Sequence, residues 1–140
     1  MDIEISELPK NPYSFGLIAR FLSIHKPFSE FEFGSISKSI LFQIQNDSHV
    51  VAVKDDQVVG YMGWLRTTEE IARAWQDELK PLSPAENPTA LAVTILAVND
   101  SSFIMPIIRY AKKREPGLTV FWKRYYQDGR KPKRKIVEVE

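Results

Sequence analysis

Residues 90–106 read ALAVTILAVNDSSFIMP. The first nine form a near-continuous apolar run, which predicts a central strand buried on both faces. The next four are turn and capping residues, with Asp100 or Ser101 as the expected helix cap. A helix follows with Pro106 in or near its first turn, where a missing N–H is tolerated. It ends at Pro116-Gly117. A buried strand feeding directly into a helix predicts an α/β domain.

Upstream, NPYSFGLIARFLSIH places Asn11 as N-cap and Pro12 at the first helical position. Phe15, Ile18, Ala19 and Leu22 follow at helical spacing, and Pro27 stops the helix near His25. GSISKSILFQIQ predicts a second helix with Ile36, Ile40 and Ile44 on one side. HVVAVKDDQVVGYMGW reads as a hairpin turning at Asp55-Asp56. In TTEEIARAWQDELK, Thr67 and Glu70 have capping-box spacing, and Ile71, Trp75 and Leu79 form the expected apolar stripe. PLSPAENPT is a Pro-rich loop. Downstream, LTVFWKRYYQ reads as a strand, DGRKPKR as a turn and KIVEVE as a half-exposed strand.

The 140 residues are 44% hydrophobic and 26% charged, which suits one soluble domain with one core, spanning 1–140. The absence of cysteine excludes disulfides and thiolate chemistry. Two isolated histidines speak against a protein-built metal site. No apolar run is long enough to cross a bilayer, and MDIEISELPK lacks the pattern of a signal peptide, so the expected compartment is the cytoplasm. Charge is uneven: residues 1–108 carry a net −6 and residues 109–140 a net +7. A basic quarter on an acidic body suits an anionic partner, or a lysine-protected sheet edge. The run Lys123, Arg124, Arg130, Lys131, Lys133, Arg134 and Lys135, mixed with Trp122, Tyr125 and Tyr126, would suit an acidic carrier protein. Without a recognised motif it is a weaker candidate for nucleic acid.

The element order is helix, helix, strand, strand, helix, strand, helix, strand, strand. It fits a single GNAT-like acyltransferase domain, a central mixed sheet flanked by helices. Fold alone does not give function. An acetyl-coenzyme A enzyme of this type carries glycines where the central strand meets the next helix, so that backbone N–H groups can hold a pyrophosphate. Here that junction has no glycine and carries Asp100, whose charge opposes one.

His25 has two readings. At a helix C-terminus an imidazolium complements the dipole. As a general base, an imidazole suits removal of a proton from a lysine ammonium near neutral pH. His49 reads as a surface turn residue. Trp64, Trp75 and Trp122 read as core.

Together SIHKPF, HVVAVKDDQVVGYMGW, TTEEIARAWQDEL, TILAVND and RYAKKREPGLTVFWKRYYQDGRKPKRKI form an ordered set from about Leu17 to Ile136. This set resembles the RTX toxin-activating lysine acyltransferases, the haemolysin-activating C protein family, as a short and divergent member. The resemblance implies no tightly bound cofactor, with acyl-acyl carrier protein as the acyl donor. It implies transfer of a fatty acyl group to internal lysines of a protein partner such as a protoxin, in the cytoplasm, often by a homodimer. His25 matches the family's catalytic histidine. The family's catalytic aspartate on the central strand is Thr94 here, which can hydrogen-bond an imidazole but carries no charge to stabilise imidazolium. That departure keeps a second expectation open: a catalytically impaired, chaperone-like binding partner of the same fold.

Overall fold

The computed structural model describes residues 2–124 and 133–137. Helix α1 spans Pro12–Leu22 and α2 spans Phe33–Gln45, with a short 3-10 turn at Phe28–Glu30 between them. The expected cap is present: the Asn11 side chain accepts from Ser14 N–H at 2.9 Å. Strands β2 (His49–Lys54) and β3 (Gln57–Thr67) form the expected hairpin. Its turn places both Asp55 and Asp56 at positive φ, a conformation that aspartate tolerates better than most residues. Helix α3 spans Glu69–Glu78, β4 spans Ala90–Val98 and α4 spans Ile104–Arg114. Strands β5 (Thr119–Arg124) and β6 (Lys133–Val137) complete the order.

One element was not expected. Glu4–Ser6 form β1, which pairs antiparallel with β2. Three residues are too few to show a period. What holds them lies far away in sequence. His49 Nε2 accepts the Leu8 N–H, and the Glu7 carboxylate meets both Arg114 and the Tyr110 hydroxyl of α4.

The six strands lie in chain order in one sheet, and every neighbour pair is antiparallel except β4 with β5. Helix α4 packs Ile107, Ile108 and Ala111 onto Val50, Met62, Trp64, Leu91 and Val93. Helices α1 and α2 pack Ile18, Leu22, Ile36, Ile40 and Ile44 onto Val51, Tyr61, Ile95 and Ala97. Helix α3 closes a smaller cluster of Ala72 with Ala90 and Phe121.

Four local expectations are corrected. The cap of α3 is Thr68, which accepts from Ile71 N–H at 3.2 Å. Thr67 still belongs to β3 and donates to Ser83 O instead. The buried side of α3 is Ala72 and Gln76, not the stripe of Ile71, Trp75 and Leu79; Leu79 is 82% exposed. His49 is no surface residue: it is fully buried. Of the tryptophans, Trp64 and Trp122 are core, whereas Trp75 is only half-buried and lies under the Lys123 ammonium.

Two irregularities shape β4. Gly63 pairs with Ile95 and Trp64 with Val93, so Thr94 is an extra residue opposite no partner. Such a bulge breaks the alternation of side chains. Ile95 and Thr94 accordingly both face α1 and α2, Ile95 in their apolar cluster and Thr94 against Gln43. In addition, β4 pairs with β5 only over Ala90–Val93. Past the bulge, no described residue of β5 pairs with β4.

Candidate functional site

Helix α1 ends at Leu22, and the chain turns so that His25 N–H reaches Leu22 O while His25 O accepts from Ser29 N–H. The imidazole lies against the Phe21 ring, with centroids 4.3 Å apart. Its Nε2 is buried and has no hydrogen-bond partner among the described residues. Burial pushes the imidazole pKa below its ordinary value, and the neighbouring Asn99 side chain offsets this in part. No carboxylate among the described residues contributes to that shift. The ring is therefore biased toward its neutral form, which is the form that accepts a proton.

Thr94 lies elsewhere. Asn99 lies five positions further along the chain, or roughly 16 Å along a strand. Its Oγ1 accepts from Gln43 Nε2 at 2.9 Å. The Gln43 carboxamide oxygen in turn accepts from the Tyr61 hydroxyl, and its backbone carbonyl faces His49 Nδ1 at 3.3 Å. His49 Nε2 accepts from Leu8 N–H at 2.9 Å. That ring therefore carries its proton on Nδ1 and donates it to Gln43 O. Burial pushes the His49 pKa down. The expected His25–Thr94 pair is thus not brought together. Thr94 belongs to a buried network centred on Gln43, and Asn99 takes the place beside His25.

The junction after β4 keeps its expected chemistry. Asp100 caps a 3-10 turn at Ser101–Phe103, accepting from Ser102 N–H at 2.9 Å. That hydrogen bonding, with Lys54 nearby, holds its carboxyl below the usual carboxylate range. An ionised carboxylate thus stands before α4. The open side of β4 faces the same end. Asn99 N–H bonds to Val59 O, so strand alternation turns the peptide groups of Leu96 and Val98 away from β3, toward the gap left by β5.

Asn99 and Gln43 were not singled out in the sequence, and Tyr61 entered only as part of the hairpin HVVAVKDDQVVGYMGW. Asn99 sits in a turn-forming run whose capping role hid it, and Gln43 and Tyr61 fall within apolar patterns that read as packing. No group of three or more potential metal-ligating side chains gathers among the described residues. No described helix is long and apolar enough to cross a membrane. In the basic segment, Tyr125, Tyr126, Arg130 and Lys131 lie outside the described residues.

No protein-family model matches the chain, and no curated protein sequence matches it. Solved structures do. The GphF GNAT-like decarboxylase, in complex with isobutyryl-CoA, is 14% identical with TM-score 0.65, over 91% of this chain and 68% of that one. The loading GNAT-like domain of CurA from Lyngbya majuscula is 9% identical with TM-score 0.65, over 90% of this chain and 66% of that one. The Drosophila melanogaster polyamine N-acetyltransferase is 11% identical with TM-score 0.64, over 91% of this chain and 78% of that one. The chain has the GNAT fold. At these identities the likeness carries architecture only, and a decarboxylase stands beside an acetyltransferase on the same scaffold.

Proposed function

We propose that the chain is a protein-lysine fatty acyltransferase that draws its acyl group from acyl-acyl carrier protein, with His25 as general base. The observation that carries this reading is His25 Nε2, a buried basic nitrogen without a hydrogen-bond partner among the described residues, on a ring biased toward neutrality beside the open end of β4. The substrate lysine, having lost one proton to solvent, attacks the thioester carbonyl carbon as the neutral amine. The nitrogen of the tetrahedral adduct gives its second proton to Nε2, the carbon–sulfur bond breaks to leave the neutral amide, and the departing thiolate takes that proton from the imidazolium.

Two features support a carrier-bound donor over coenzyme A. The Asp100 carboxylate and the glycine-free junction disfavour a pyrophosphate before α4. The peptide groups of Leu96 and Val98, turned toward the gap, suit an extended, amide-containing arm, which a carrier-bound donor and coenzyme A share. The net +7 of residues 109–140 complements an acidic carrier. The substrate is a protoxin or similar partner in the cytoplasm, by the family resemblance of the ordered sequence set.

A second reading is a non-catalytic, chaperone-like partner. Thr94 in place of the family's aspartate favours it, because a threonine carries no charge to stabilise an imidazolium. Intact mass spectrometry of the partner protein, co-expressed with this chain or with His25→Ala, decides. A fatty acyl increment with the parent and none with the variant supports acyl transfer by His25. An increment with both removes His25 from the chemistry. Stable co-purification without any increment supports the binding partner.

A further inference from the structure

The Gln43 network has a direction. Tyr61 is fully buried, and among the described residues its hydroxyl has only the Gln43 carboxamide as partner. A buried phenol left without an acceptor is costly, so it donates, and the carboxamide turns its oxygen toward Tyr61. This commits the Gln43 NH2 to Thr94, whose Oγ1 accepts it. The O–H of Thr94 is then the last donor of the chain, polarised by the two bonds behind it. It has no acceptor among the described residues.

Thr94 is half-buried and lines a pocket of about 300 Å3 between α2 and the loop after α3. Phe42, Leu65 and Leu82 give that pocket apolar walls, and Lys38, which forms no ion pair among the described residues, adds the single cation of its lining. Apolar walls, one committed O–H donor and one positive charge specify a ligand with an apolar body and an anionic oxygen. We infer that this pocket binds a small organic carboxylate, its tail on Phe42 and Leu82 and its headgroup on the Thr94 O–H in the field of Lys38. The site is separate from His25 and does not depend on the acyl-transfer reading.

The test is a titration of the full chain with sodium hexanoate, followed by amide chemical shifts, with 1-hexanol as the uncharged control. Hexanoate is expected to give saturable shifts around Phe42, Gln43, Thr94 and Ile95, and hexanol none. Thr94→Val and Lys38→Met each raise the Kd by about tenfold, while Thr94→Ser keeps the parent value. Should Thr94→Val fail to fold, the exposed Lys38→Met variant decides alone. Absence of saturable shifts, equal binding of hexanol, or an unchanged Kd in Lys38→Met overturns the assignment.

Discussion

Gln43 joins three residues that the sequence keeps apart: His49, Tyr61 and Thr94. The space for its carboxamide comes from Gly63. A Cβ there would overlap the Gln43 side chain, so Gly63→Ala is expected to lose about 1–3 kcal/mol in urea denaturation. His49 supplies a pH test. Its folded pKa lies below the ordinary value of about 6.5, so the native state binds fewer protons than the unfolded chain between those two values. Its contribution is fully present above about pH 6.5 and is lost as pH falls toward the folded pKa. The melting temperature of the parent should therefore drop more between pH 7.5 and pH 5.5 than that of His49→Gln. His25 is shifted in the same direction, which makes the difference between the two proteins the quantity to measure. If His25 is the base proposed above, the same depression sets the acid limb of the rate: activity is expected above the His25 pKa and is expected to fall away below it, at a pH lower than about 6.5. The position of His25 after α1 was legible from Pro27. Its neighbour was not, because no local pattern reports which strand end meets a helix end.

Among the elements, those with a long period or a strong cap were legible. Asn11-Pro12 opens α1, and Ile36, Ile40 and Ile44 are buried on α2 as their spacing predicts. The run Ala90–Val98 is β4 to the residue. Helix α3 was read correctly in place but not in facing. Its buried positions are a small alanine and a glutamine whose Nε2 donates to Trp122 O at 3.1 Å, a polar anchor that hydrophobic spacing does not reveal. The stripe prediction failed most plainly at Leu79, which ends the helix at φ 56°. A left-handed Cβ costs about 1–2 kcal/mol, and this exposed side chain recovers little by burial. Leu79→Gly is therefore expected to raise stability by about 1 kcal/mol, read as a higher urea midpoint with unchanged slope. Asn11→Ala should lose about the same amount through the Ser14 N–H cap.

For the molecule as a whole, the order of elements was enough to predict the GNAT-like sheet, because connections between successive strands and helices are short and leave few arrangements. Where β4 parts from β5 was not legible. It depends on a bulge at Thr94 and on how far a parallel partner extends, and neither leaves a mark in composition. Only four described residue pairs join β5 to β4, yet four contacts from α3 reach across: Gln76 to Trp122 O, Arg73 over the Phe121 ring, Trp75 under the Lys123 ammonium, and the Glu69 carboxylate, which accepts from the Thr119 hydroxyl. Helix α3 thus acts as a rivet over a narrow weld. Loosening the rivet should release the β5 side of the sheet while β2, β3 and β4 hold. In native-state hydrogen exchange, Gln76→Ala is expected to speed exchange at Val120–Lys123 and to leave Val50–Ala52 unchanged.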